Sequence, residues 1–195
     1  YSINQDLRDK RFRTESGYQT FFTQEIPIIS DSSEFANAFE ISKFKKLSTR
    51  SDTVGKISFY AKTITGLSDD VRVSKRLNVP SSKLRGFEKG KVGPVDNKDF
   101  VGGNHVTALN LSATLPNIIE GLDNLDVGVF LDAANVWGVD YDSSLDDKST
   151  IRSSAGVAFN LLTPIGPLSF SFANALTKAS SDKTETFRFR LGTQF

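Results

Sequence analysis

The chain has 195 residues, 38% of them hydrophobic, and its most apolar stretches, 127–131 and 155–164, fall well short of the run of about 20 apolar residues that a membrane-crossing helix requires. A net charge of +1 leaves no basic excess for a nucleic-acid surface, and the absence of cysteine removes disulfide scaffolds and thiolate metal sites while leaving the cellular compartment open. Methionine is also absent, even at position 1, and no signal peptide opens the sequence, which points to a processed chain or a fragment whose export signal lies upstream.

A β-strand crosses a bilayer with about 9–11 residues, alternate ones apolar, so period-two alternation is the pattern that matters. Residues 1–8 read as the tail of one strand. Residues 18–29 form the first long one, with Tyr18, Thr20, Phe22, Ile26 and Ile28 on one face and Gln19, Thr23 and Glu25 on the other. Asp31, Ser32 and Ser33 mark a tight turn. Residues 35–47 follow, where Phe39 and Ile41 keep phase but Phe44 and Leu47 slip, predicting a bulge near Lys43.

Residues 56–65 set Ile57, Phe59 and Ala61 against Lys56, Ser58, Tyr60 and Lys62. Residues 106–115 set Leu109, Leu111, Ala113 and Leu115 against Ala108, Asn110, Ser112 and Thr114. In 126–137, Val127, Val129, Leu131 and Ala133 oppose Asp126, Gly128, Asp132 and Ala134. In 150–161, Ile151, Ala155, Val157, Phe159 and Leu161 oppose Arg152, Ser154, Gly156 and Asn160. Leu168, Phe170 and Phe172 face away from Ser169, Ser171 and Ala173. The last strand, 186–195, sets Phe187, Phe189, Leu191 and Phe195 against Arg188, Arg190 and Gln194. The expectation is eight long strands and part of a ninth, an all-β, antiparallel chain.

Alternation alone fits both a soluble sandwich and a membrane barrel. Charge decides between them. Arg188, Arg190, Arg152, Asp132 and Glu25 are all predicted on the polar face, as in a lumen, and the connections alternate in length. Segments 48–53, 117–125 and 163–167 are short, whereas 66–104, 138–149 and 177–185 are long; the short 30–34 turn is the exception. Short periplasmic turns and long outer loops are the mark of a transmembrane β-barrel. A terminal Phe195 closing an aromatic strand is similar to the ending by which barrel substrates are recognised in outer membranes.

Segment 66–104 is too long for a hairpin turn and lacks periodicity, the profile of a functional loop. Its middle reads Leu84, Arg85, Gly86, Phe87. This resembles the Arg-Gly-Phe/Tyr motif of the sixth extracellular loop of the BamA superfamily. Further matches follow in order: Gly93-Pro94 after the motif; Val101, Gly102, Gly103 and Asn104 opening the next strand; 130–137, with Ala134 where glycine is common; 163–173; and 187–195, with Gly192 at the kink of the closing strand. Segment 9–17 resembles a degraded version of a family turn, with Arg13 in place of its proline. The resemblance covers nearly the whole chain.

The resemblance implies a family barrel of sixteen strands preceded by periplasmic POTRA domains, which are absent from this chain; it would supply the C-terminal eight or nine. It implies that the 66–104 loop folds into the lumen, where Arg85 reaches Asp132. Arg presents a planar fork suited to a carboxylate, so such a pair can pin an otherwise mobile loop. The family also tends to place a glutamate on the preceding strand, and the matching position here is Ser112.

What is implied functionally is insertion of β-barrel proteins into the bacterial outer membrane without covalent chemistry or cofactor, through a weak seam whose gate edge is Phe187, Phe189, Leu191, Gly192 and Phe195. The implied partners are membrane lipid, unfolded outer-membrane proteins and periplasmic accessory lipoproteins, with self-association open to an isolated half-barrel whose edges cannot stay bare in lipid. A TamA-like or two-partner secretion translocator, or a passive pore, is the alternative within the superfamily. His105 is the sole histidine, placed on the lipid-side parity near an interface, which suits a structural role better than hydrolysis. No metal site is expected: one His with no Cys does not make a zinc site. Asp69, Asp70, Asp140, Asp142, Asp146 and Asp147 lack calcium-loop spacing and read as solvated loops.

Overall fold

The protein is described by a computed structural model over residues 1–27, 34–48, 50, 52–116, 118, 121–122, 124–145, 150–164 and 166–191. Its strands are β1 (Ser2–Asp6), β2 (Gly17–Glu25), β3 (Glu34–Lys46), β4 (Val54–Gly66), β5 (Val95–Asp96), β6 (Asp99–Phe100), β7 (His105–Pro116), β8 (Leu125–Trp137), β9 (Arg152–Thr163), β10 (Gly166–Thr177) and β11 (Phe187–Leu191). Nine of them form one antiparallel sheet in the order β1-β2-β3-β4-β7-β8-β9-β10-β11. The strands therefore pair as successive neighbours, and the tiny β5–β6 hairpin stands outside the meander.

The register carries a two-residue alternation across the sheet. The rows led by Phe22, Phe39, Phe59, Leu109, Val129, Val157, Phe172 and Phe187 share the outer face, since each of these strands pairs with its neighbour in phase. That face leaves Phe39, Ile41, Ile57, Phe59, Leu109, Leu111, Val129 and Leu131 exposed across adjacent strands. A soluble monomer does not present an apolar band of that extent to water, whereas lipid is a good solvent for it. Phe170 stacks on Phe189 at 5.2 Å and Phe172 on Phe187 at 5.1 Å, seating β11 on β10 from the outside. At the long-loop end, His105 and Trp137 pack ring to ring at 5.5 Å, on the lipid-side parity the sequence predicts for His105.

Two sequence expectations are corrected. The first strand stops at Glu25, because Ile26 and Pro27 lie outside the ladder and a proline offers no N–H to continue it. Ile28 and the predicted turn residues Asp31, Ser32 and Ser33 lie outside the described residues. No bulge forms near Lys43: β3 pairs with β4 without interruption from Glu34↔Gly66 to Lys46↔Val54. Phe44 breaks the apolar phase because it faces inward, where the Lys56 ammonium directly across the ladder lies 5.3 Å from its ring centre. The observed irregularity lies elsewhere, between Ala175 and Thr177 of β10.

Buried apolar side chains gather on the inner face, not between two sheets. Val79, Leu84, Phe87 and Val92 of the 67–104 segment pack on Val106, Ala108, Ala134 and Val136 of β7 and β8. This core is what folds the long loop back onto the sheet.

Candidate functional site

Arg85 lies on Asp132 through a two-toothed contact: Nε donates to Oδ2 at 2.7 Å and Nη2 to Oδ1 at 2.7 Å, while the Arg85 backbone N–H adds a third bond to Oδ2 at 3.1 Å. Asp132 is fully buried, so its charge depends on these donors. A fourth comes from Asn110, whose amide donates to Oδ1 at 2.8 Å and to the Lys83 carbonyl at 2.7 Å. Asn110 sits directly opposite Asp132 in the β7–β8 ladder, whereas Ser112 faces Phe130. Ser112 stands further along the ladder, and Asn110 is the β7 residue that joins wall and loop.

The guanidinium also lies flat over Phe130, 3.4 Å from the ring centre, a cation–π stack that fixes its plane. Phe130 fits because the next strand carries Gly156. A Cβ there would come within 2.7 Å of the Phe130 ring and 2.1 Å of the Phe172 carbonyl oxygen. Gly86 is required for two reasons: its φ of +86° and the 3.1–3.2 Å gap a Cβ would leave to the Ala173 and Ser154 side chains of the wall. Phe87, 2% exposed, plugs the apolar core on the far side of the turn.

The loop is held equally by the last hairpin. Glu88 N–H donates to the Lys183 carbonyl at 3.0 Å, Lys183 N–H to the Lys91 carbonyl at 3.0 Å, and Glu185 N–H to the Gly86 carbonyl at 3.1 Å, around a bridge between Phe87 and Thr184. From β11 itself, Arg188 donates to the carbonyls of Ser81, Leu84 and Phe87 and pairs with Glu185. Arg152 and Asp182, both fully buried, form a second ion pair. Asp182 additionally accepts from the N–H groups of Gly93 at 3.3 Å and Ala179 at 2.6 Å, which ties the Gly-Pro segment to the 178–186 loop.

A third clasp sits at the base of the loop. Arg76, its side chain fully buried, pairs with Asp140, which also accepts from the Asn104 amide at 2.9 Å and the Val71 N–H at 2.7 Å. Partial burial works to raise the Asp140 pKa, but the Val71, Asn104 and Arg76 donors outweigh it and hold the carboxyl at about 2. Gly102, at φ +68°, lets Gly103 and Leu77 exchange two backbone bonds of 2.8 and 2.9 Å. The predicted junction residues Gly102, Gly103 and Asn104 are thus part of this clasp.

Of the predicted gate residues, Phe187, Phe189 and Leu191 lie on the outer face of β11, while Gly192 and Phe195 lie outside the described residues. Among the described residues, no group of three His, Cys, Asp or Glu side chains is placed to hold a metal ion. Of the aspartates read as solvated, Asp140 instead holds the base of the loop; Asp142 accepts from Ser144, and Asp146 and Asp147 lie outside the described residues.

The solved crystal structure of BamA from Haemophilus ducreyi lacking POTRA domains 1–3 superposes on the whole of this chain with a TM-score of 0.88 at 24% identity, the chain covering 41% of it. The outer membrane protein assembly factor BamA of Neisseria meningitidis serogroup B is 33% identical over 141 residues, 57% of this chain and 17% of that protein. The BamA of Neorickettsia risticii is 27% identical over 117 residues, 58% of this chain and 16% of that protein. The chain therefore spans about a sixth of the curated relatives it matches. The model of the Omp85 superfamily domain matches residues 1–195. Matched along its entire length, this antiparallel, lipid-banded chain belongs to the Omp85 superfamily and is a portion of a bacterial outer-membrane β-barrel.

Proposed function

We propose that this chain is the C-terminal part of the barrel of a BamA-like insertase, which assembles other β-barrel proteins into the outer membrane by offering them a strand edge. The observation that carries the reading is β11. It pairs with β10 from Phe172↔Phe187 to Leu168↔Leu191, and its inner face is tied through Arg188 to the loop that Arg85 fixes to the wall. A strand parted from its neighbour across a barrel seam is a template for an incoming strand, whose N–H and C=O groups have no other partner in lipid. Arg85 and Asp132 act as the lumen anchor in this scheme, and the strand from Phe187 onward as the gate. The names of the Neisseria and Neorickettsia relatives, both assembly factors, support the same reading. Unfolded outer-membrane proteins are the proposed substrates, with periplasmic accessory lipoproteins as partners.

The test uses the full-length protein reconstituted in liposomes, with a photo-crosslinking residue at Phe189 and a radiolabelled barrel substrate. The expected result is a substrate adduct during assembly, and loss of assembly when β11 is disulfide-bonded to the strand across the seam. Assembly at an undiminished rate with the seam sealed overturns the proposal. Export of a soluble passenger through the sealed barrel would instead mark a translocator of the same superfamily.

A further inference from the structure

The outer rows of the nine-stranded sheet are apolar or uncharged with one exception. β3 reads Phe35, Asn37, Phe39, Ile41, Lys43, Lys45 along its outer face, so two lysines follow the apolar stretch at the end next to the 47–53 turn. In the other eight strands no Asp, Glu, Lys or Arg shares that face. Lys46, one residue on, points inward and pairs with Glu15 and Asp52. Lys43 and Lys45 are exposed, and among the described residues neither has an acidic partner.

Beside them the surface is hollowed. A shallow groove of ≈ 580 Å³ runs over Gly55, Ile57, Leu111, Ala113 and Val129, with Leu47 at its end. That volume lies within the roughly 300–1,000 Å³ of clefts that bind small molecules. Its floor is low because Gly55 and Ala113 are cross-strand partners, and Leu47 packs into the space where a Gly55 Cβ would stand. Tyr18 is the neighbour of Lys43 across the β2–β3 ladder and shares the outer face, an aromatic residue where interfacial rings are expected. The 47–53 turn is on the short-turn side of the barrel, which faces the periplasm in outer-membrane barrels.

We propose that Lys43 and Lys45, with the groove over Gly55 and Ala113, form a binding site for an anionic phospholipid of the periplasmic leaflet. The lipid phosphate sits between the two ammonium groups, each a compact charge with three donors, and an acyl chain lies along Ile57, Leu111 and Val129. Charge selects the occupant. A lysine pair with no acidic partner among the described residues, next to an apolar groove at the membrane boundary, complements a headgroup with net negative charge and leaves a zwitterionic one with an unmatched ammonium.

The experiment is native mass spectrometry of the full-length protein released from nanodiscs of equal phosphatidylglycerol and phosphatidylcholine content. The wild type should retain phosphatidylglycerol preferentially. A lysine near a membrane surface strengthens binding about fivefold, so Lys43→Gln with Lys45→Gln should lower phosphatidylglycerol retention roughly 25-fold. The Lys43→Arg, Lys45→Arg pair should keep the preference and Lys46→Gln should leave it unchanged. Ala113→Phe should weaken retention with both lysines present, by filling the groove. Heat-modifiable migration identifies variants that still fold, and the Arg pair and Lys46→Gln keep the comparison informative if the Gln pair does not. Equal retention of both lipids, retention unaltered by the Gln pair or by Ala113→Phe, or a dimer or bound protein shielding the lysines in place of lipid, overturns the proposal.

Discussion

Replacing Arg85 by Ala removes two 2.7 Å bonds from a carboxylate that is fully buried, leaving Asp132 with the Arg85 backbone N–H and the Asn110 amide. Removing one partner of a buried pair costs about 3–5 kcal/mol. The two remaining donors and the partial exposure of Arg85 place this case at the lower end, and loss of the stack on Phe130 adds about 1 kcal/mol, for a total of about 4 kcal/mol. Arg85→Lys retains the charge but neither the fork nor the flat stack, and should cost about half as much. The assay is a double-mutant cycle of Arg85→Ala and Asp132→Ala in the full-length protein. Loop docking is read as protection of a cysteine in place of Val92, which the docked loop buries against the wall. A coupling of about 2 kcal/mol or more is expected, together with faster labelling in both single variants. Additive effects, or labelling that does not change, would refute the claim that this pair holds the loop.

Gly86→Ala should destabilise the docked loop by about 2–3 kcal/mol, because it meets both an unfavourable φ and the wall, whereas Gly90→Ala, at φ +69° in open space, should cost about 1 kcal/mol; thermal melts of the heat-modifiable form compare them. Asp182→Ala takes two carboxylate bonds from the fully buried Arg152 guanidinium and should cost about 3–5 kcal/mol in the same melts, with the 178–186 loop becoming protease-sensitive. Arg188→Gln gives up the bonds to three loop carbonyls and should raise the rate of substrate crosslinking at Phe189, because β11 is freed from the loop; an unchanged rate would separate gate from loop. The lowered Asp140 pKa gives a pH signature. Its bonds stabilise the fold fully above the ordinary carboxylate value near 4, and that contribution is lost as pH falls toward 2. Pepsin cleavage near Val71 should therefore rise between about pH 4 and pH 2 in the wild type, and stay flat across that window in Asp140→Asn.

The strands were legible because residues exposed to lipid and their neighbours turned to the lumen differ in chemistry over most of each strand; the contrast fails in β7 and β8 where Val106, Ala108, Ala134 and Val136 face inward to meet the docked loop. Phe44 misled because an aromatic is as comfortable under a lysine stem as in lipid, so its face is set by Lys56 across the ladder and not by its own polarity. Arg85 and Asp132 were found through motif resemblance; spacing alone would not have joined residues 47 apart. Asn110 could have been found by setting the two predicted strands in register, which places it opposite Asp132. Arg76 with Asp140 and Arg152 with Asp182 had no such signal, since each pair has at least one member in an aperiodic loop. Arg188 was correctly turned toward the lumen, but its targets are backbone carbonyls, and a carbonyl acceptor leaves no trace in residue identity.

The ties of the long loop become available at different points in the chain. Asp132 and Asp140 exist soon after β8 has been laid down and Asp182 after β10, but Arg188 lies 101 residues beyond the Phe87 carbonyl it holds. The hairpins of the meander can zip one after another from local contacts, whereas this last tie must wait until the final strand is in place. Docking of the Arg-Gly-Phe turn is therefore a completion signal: a molecule truncated or stalled before β11 has its loop half-fastened, and a cell's proteases would meet an exposed 80–90 segment that a finished barrel conceals.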